Sequence, residues 1–299
     1  MSVKTDTNKE SSSPAQIGFC AATNIGILTV DEGARLNRSR VAIVGLGGVG
    51  GIAAIQCARM GIQHFHLIDG DAFEASNLTR QMLCSTAQVG RSKAQVAAEA
   101  ITAINPKIDT RVTSKYLEEE TALELLAGVD VIMDGTDNLV ARVIIHRAAR
   151  QLGIPSVWIA VTPPFRGGVM TFTPDSMPME EALSQPSLGK KLTDDVQREL
   201  HAIKEARARR AVELADDVSR ETMQEWCEDF IAGEAPWTVI SPMANIVGVL
   251  ASFEMMKVLL DRPHLQPTKA PGLVKIDLAR TEMVSVEHPA GGRWDNAEL

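Results

Sequence analysis

Hydrophobic and polar positions follow two alternating periods through the first half of the chain. Short runs of strand type fall at residues 41–45, 130–134 and 156–160, residues 64–69 alternate apolar and polar before a turn at Gly70, and 108–113 is a further candidate strand. Between them, helical spacing predicts helices over 50–60, 92–104, 118–126 and 138–152. Strands alternating with helices predict a parallel, doubly wound sheet, and the right-handed crossover rule places helices on both of its faces. The pattern breaks after Val161. Residues 168–173 read as an antiparallel strand, 174–191 as a Pro-, Ser- and Met-rich loop with a short helix, and 193–232 as charged helix with Glu/Lys/Arg pairs near i,i+4. That charged stretch reads either as an insertion covering a site or as a solvated helix pair. The apolar stretch 237–260 predicts a buried or amphipathic helix, and 273–278 and 282–287 predict two closing strands. The expected fold is α/β: a Rossmann-like, mostly parallel sheet with antiparallel C-terminal strands and a helical insertion.

Composition narrows the class. The chain has 299 residues, 45% of them hydrophobic, 23% charged and only 4% aromatic, so its core must rest on aliphatic side chains and Met. A formal charge of -8 argues against nucleic acid as the main partner. Residues 1–16 are polar, with no apolar core, and read as a disordered tail preceding one domain over 17–299, in which 175–235 form the loop and helical insertion. Charges and polar residues inside 237–260 (Asn245, Glu254, Lys257) argue against a membrane span. The four cysteines form no C-x-x-C pair; scattered as they are, they read as reduced thiols of a cytoplasmic protein. His64 and His66 share one strand face and read as packing residues, since no cluster completes a metal site around them.

Candidate chemistry begins at Gly45, Gly47 and Gly50, which fit G-x-G-x-x-G between a strand and a helix. Such a loop, with Gly48 inside it, lets backbone N–H groups and a helix N-terminus approach phosphate. Asp69 ends the next strand about twenty residues on, where a carboxylate reaches ribose hydroxyls. This much fits an NAD-dependent oxidoreductase or an ATP-dependent enzyme equally. The chain then continues to Asn77, Arg80 and Gln81, with Lys93 further on and Asp137–Asn138 after the fourth strand. An enzyme that cleaves ATP must neutralise departing pyrophosphate. Arg80 and Lys93 are suitable cations, and Asp137 suits Mg²⁺, which takes one or two carboxylates plus phosphate oxygens.

Four stretches, "VAIVGLGGVGG", "LIDGDAFEASNLTRQ", "VGRSKAQVAAEAITAINP" and "DVIMDGTDN", together resemble the ThiF/MoeB/HesA superfamily, relatives of ubiquitin-activating enzymes. The resemblance implies an ATP- and Mg²⁺-dependent adenylyltransferase that activates a carboxylate. The substrate would be the C-terminus of a ubiquitin-like or sulfur-carrier protein, a peptide or a small acid, and the enzyme a homodimer. By that resemblance Asp69 holds the ribose, with Asp71 as a second candidate. Asn77, Arg80 and Lys93 contact phosphates, Gln81 and Asn138 complete the shell, and Asp137 holds the metal. Alternatives are a non-catalytic partner subunit and the oxidoreductase.

The chain also departs from the family pattern. Thr23 stands where many relatives carry an Arg that reaches the neighbouring subunit's nucleotide, and the zinc-binding cysteine pairs are absent. Arg166 is a candidate replacement cation or a surface ion pair. Cys227 lies among Glu225, Glu228 and Asp229, which would blunt it as a thioester nucleophile; Cys84 reads as a packing residue. A substrate channel is expected between Arg166 and the 175–190 loop, with Met170, Met177 and Met179 as a candidate apolar lining and core packing as the favoured reading of Met170.

Overall fold

In the computed structural model, Asn24 and residues 26–296 are described. The tail at residues 1–16 and Thr23 lie outside them. β1 (Arg40–Val44), β2 (His64–Ile68), β3 (Asp109–Thr113), β4 (Val131–Asp134) and β5 (Ser156–Thr162) form the parallel part of one eight-stranded sheet, in the order β3-β2-β1-β4-β5. β6 (Arg166–Phe172), β7 (Leu273–Asp277) and β8 (Val284–Glu287) continue it antiparallel beyond β5. Every residue of β4 is buried, as is every residue of β1 after Arg40. Strands covered on both faces read as continuous apolar runs, which is why 41–45 and 130–134 are so legible. Strand order reverses between β1 and β4, and the carboxyl ends of strands at such a reversal open onto a crevice.

α1 (Val30–Arg38), α2 (Gly48–Arg59), α3 (Lys93–Ile104) and α9 (Ser241–Leu260) cover one face, packing on Val41 and Ile43 of β1. α4 (Glu119–Leu126) and α5 (Leu139–Leu152) cover the other, against Ala42 and Val44. The insertion supplies α6 (Met179–Ala182), α7 (Asp194–Leu214) and α8 (Arg220–Ala232). Residues of α6 and α7 share a second core with Leu139, Val143, Trp158 and Phe172.

Three differences from the sequence reading have physical causes. α1 was not expected, because its polar sequence shows little apolar stripe. A capping box starts it, with Thr29 and Glu32 satisfying each other's backbone N–H groups. The C-terminal long helix begins at Ser241, with Pro at its first turn, so Trp237 lies in the extended stretch before it. Met177 packs against the second core and Met179 is buried in it at the edge of a small cleft, so they do not form the expected apolar groove; Met170 is buried there too, as core packing predicts for it.

α9 is long and apolar enough to cross a membrane, yet most of it is buried within the protein. Each large apolar side chain it buries, such as Met243, Val247, Met255 and Leu259, contributes roughly 1.5–3 kcal/mol. Its buried Glu254 is satisfied by the Thr171 hydroxyl (3.1 Å), the Thr268 N–H (2.6 Å) and the Lys257 ammonium (2.5 Å).

Candidate active site

The glycine loop is shaped by close backbone approach. Gly45 has φ +86°, and a Cβ placed there would lie 2.7 Å from the Gly135 carbonyl carbon. A Cβ on Gly50 would lie 1.8 Å from the Gly45 oxygen. Gly50 therefore closes α2 against the strand end rather than lining the crevice, whereas Gly45, Gly47 and Gly48 do line it. Gly47 caps α2 with no side-chain acceptor for the helix's first N–H groups, which leaves the positive end of the helix for an anion.

The crevice has a volume of about 640 Å³, within the usual range for small-molecule sites. Asp69, Asp71, Asn77, Arg80, Gln81, Lys93, Asp137 and Asn138 all reach its lining. Asp69 is buried and accepts backbone N–H groups from Leu46 (2.6 Å) and Asp71 (2.8 Å), one on each oxygen. Each oxygen keeps a further lone pair for a hydroxyl. Burial pushes its carboxyl up, against the two backbone bonds and the Lys93 charge. Lys93 is buried and paired with Asp71 at 2.9 Å. The Tyr116 hydroxyl also donates to Asp71. Burial alone would raise the Asp71 carboxyl, but the bonds from Tyr116 and Lys93 outweigh it and hold it below its ordinary value. The same bond pushes the Tyr116 phenol up to about 12.

The 3-10 turn Ala75–Thr79 places the next three polar residues. Asn77 is buried, its Oδ1 taking the Glu74 N–H at 3.1 Å. Arg80 donates to the Ser76 carbonyl at 2.9 Å, which bends its guanidinium back along the turn. Gln81 is buried beside Gly47, and its Oε1 has no hydrogen-bond partner. A buried amide lacking a partner at a helix N-terminus fits a site that is completed by a polar ligand.

Beyond β4, Asp134 is fully buried and fixes the turn that follows. Its Oδ1 takes the Thr136 N–H at 3.2 Å, and its Oδ2 faces His146 at 3.3 Å and Arg142 at 3.6 Å. Arg142 also donates to the carbonyls of Thr136 (2.6 Å) and Ile159 (2.6 Å). Asn138 caps α5, accepting from Val140 at 2.9 Å and Ala141 at 3.1 Å. Between them the Asp137 carboxylate is 80% exposed and faces the crevice. Among the described residues no group of three or more His, Cys, Asp or Glu could hold a metal. An accessible carboxylate beside a phosphate cradle fits Mg²⁺, which keeps waters and phosphate oxygens as its other ligands.

The insertion contributes residues that single-sequence reasoning did not assign. Lys204 and Arg207 of α7, with Trp237, form part of the crevice wall. Their i,i+3 spacing on a charged helix was the available signal; the apolar stripe Val196, Leu200 and Ile203 marks the packed face but not its neighbour across the crevice. Arg207 is buried and bonded to the Asn296 carbonyl at 2.8 Å; burial and the neighbouring Arg142 pull its guanidinium down to about 9. Arg166 pairs with Asp277 at 3.2 Å and is not part of the crevice wall. The expected channel beside the 175–190 loop is accordingly corrected. The cleft at the base of that loop, lined by His146, Arg147 and Met179 among others, has only about 50 Å³. Burial pushes up the thiols of Cys84 and Cys227, with Glu228 adding to the effect at Cys227.

A doubly wound sheet with a glycine-lined crevice at its reversal defines a nucleotide-binding class of protein. Within that class the ThiF family model matches residues 21–291, and the chain belongs to the ThiF family. The probable adenylyltransferase/sulfurtransferase MoeZ of Mycobacterium tuberculosis is 38% identical over 149 residues, which is 50% of this chain and 38% of that protein. The sulfur carrier protein ThiS adenylyltransferase of Escherichia coli is 35% identical over 147 residues, 49% of this chain and 58% of that protein. The chain thus spans well under two thirds of the length of these relatives. Among solved structures, E. coli MccB with ATP has a TM-score of 0.64 at 18% identity, covering 88% of this chain and 67% of that one. PaaA has a TM-score of 0.63 at 20% identity, covering 95% and 77%. These two likenesses establish the shared fold.

Proposed function

We propose that this chain adenylates a carboxylate with ATP. A carboxylate oxygen attacks the α-phosphorus in line. The bond from that phosphorus to the bridging oxygen of the β-phosphate breaks, and pyrophosphate leaves with the electron pair. The attacking carboxylate is already ionised near pH 7, so no general base is required. The chain's work is placement and charge neutralisation. The glycine loop receives phosphate, Asp69 orients the ribose, Asn77 and Gln81 supply polar contacts, and Arg80 and Lys93 balance charge. Asp137 would hold Mg²⁺, which supplies further neutralisation at the phosphates. The observation that carries this reading is the meeting of Arg80, Lys93 and Asp137, distant in sequence, on one crevice with Gly45, Gly47 and Gly48. The relatives named as adenylyltransferases of sulfur carriers favour the C-terminus of a carrier protein as the acid, and MccB, solved with MccA, shares the fold.

Incubation with ATP, Mg²⁺ and candidate carriers, peptides and small acids should release pyrophosphate and AMP in an acid-dependent manner. Asp137→Ala should lower that release by about 10²-fold or more. Undiminished release would remove Asp137 from the reaction. Intact ATP binding with no release for any acid would favour a non-catalytic subunit.

A further inference from the structure

Lys204 is the one crevice cation that comes from the insertion and holds its ammonium against an exposed carboxylate. Its Nζ lies 3.6 Å from the Asp137 Oδ2. It also lies 5.9 Å from the ring centroids of both Phe230 and Trp237. Those rings are themselves braced edge to face, 5.2 Å apart, and Trp226 packs on both at 5.5 Å. The Trp237 indole is anchored by a hydrogen bond to the Val161 carbonyl at 3.0 Å. An aromatic pair within about 6 Å attracts an ammonium and limits where it can swing.

The geometry points to Lys204 as a further nucleotide-contacting residue, a cation delivered to the phosphates from within the same chain by the insertion; this rests on the adenylation reading. The pair with Asp137 is weak, since that carboxylate is mostly in water. Asp137 is also the carboxylate proposed to hold Mg²⁺. When a divalent ion occupies Asp137, like charge turns Lys204 away from it, while Phe230 and Trp237 keep the ammonium over the crevice. Arg80 and Lys93 come from the segment after β2, whereas α7 packs against α5 on the opposite face of the sheet. Lys204 therefore meets the phosphates from the side those two cations leave uncovered. The charged insertion is in this way part of the site, and its aromatic cluster is the arm that aims one side chain.

Binding of a non-cleavable ATP analogue to the full chain, measured by calorimetry in excess EDTA and in Mg²⁺, tests this directly. Lys204→Met should weaken binding by about 10- to 100-fold in Mg²⁺ and by much less in EDTA, where Asp137 still holds the lysine. Lys204→Arg should retain most of the affinity. Asp137→Asn should tighten metal-free binding more in the chain with Lys204 than in the Lys204→Met chain. Affinities within about twofold of the parent in both conditions, or equal losses in both, would overturn the proposal. An unaltered parent that binds no ATP would overturn the adenylation reading along with it. A parent that binds ATP while Lys204→Met changes nothing would overturn the lysine's role alone.

Discussion

Gly50→Ala should cripple the nucleotide loop through sterics alone. The new methyl would sit 1.8 Å from the Gly45 oxygen, and Cβ contacts under 3.0 Å do not occur, so the two segments must part by at least 1.2 Å. Neither side has room. Behind Gly45 lies the Gly135 backbone, where a Cβ would stand 2.5 Å from the same oxygen. Behind α2 lies α9, whose Gly248 is so close that a Cβ there would be 2.3 Å from Ile52 and 2.5 Å from the Val49 carbonyl. Overpacking of this kind costs about 1–3 kcal/mol. A displacement above 1 Å at a phosphate-binding loop costs roughly a further 10²-fold in function. Thermal denaturation should show a melting temperature lower by several degrees, and calorimetry a collapse of ATP affinity. A Gly50→Ala chain that melts and binds ATP like the parent would refute the packing argument and, with it, the role given to this backbone contact.

Two pH predictions follow from buried or paired groups. His66 donates and accepts between the Leu125 carbonyl and the Thr113 hydroxyl, both at 2.8 Å, and burial, reinforced by Arg111, pulls its pKa down to about 4. The unfolded chain then binds the extra proton between about pH 6.5 and 4, so the fold loses stability as pH falls through that window. The melting-temperature advantage of the parent over His66→Gln should shrink from pH 7 to pH 5; a constant difference would contradict the assignment. Glu32 has the opposite polarity of charge: its bonds from Arg262 (2.8 and 2.7 Å), with those from Thr29, hold its pKa near about 2. Its contribution is present above about pH 4.5 and fades as pH falls towards 2. Glu32→Gln should therefore lower the melting temperature at pH 7 and less so at pH 3.5, and a deficit that does not narrow would contradict it.

What the sequence exposed, and what it hid, divides by distance along the chain. The strands at β1, β4 and β5 were legible because burial on both faces leaves a largely apolar run, and β2 because its apolar and polar positions alternate. The loop at Gly45–Gly50 was legible because glycine is the residue that backbone contact demands there. Asp69, Arg80, Lys93 and Asp137 were legible because they follow strand or turn signals at recognisable offsets. Lys204 and Arg207 were not, since the apolar stripe of α7 (Val196, Leu200, Ile203) tells which face packs but not that the neighbouring cations reach the crevice. Arg166 stayed open between a site cation and an ion pair because its partner, Asp277, lies 111 residues away on a neighbouring strand; the ion pair is the reading the structure bears out. Met177 was read as groove for a similar reason: its packing depends on α6 and α7, whose docking no local pattern reports, whereas Met170, favoured as a core residue, is buried as expected.

The dependence of α2 on α9 has a consequence for how the protein is made. The helix carrying the phosphate loop presents Val49, Ile52 and the small residues between them to a partner encoded almost two hundred positions later. During translation the early half can form its local hairpins of strand and helix, but one apolar flank stays wet until the ribosome has released residue 260. The nascent chain is thus most exposed to aggregation in the interval when the insertion is being synthesised, and any truncation ahead of α9 would leave that flank as a binding site for chaperones.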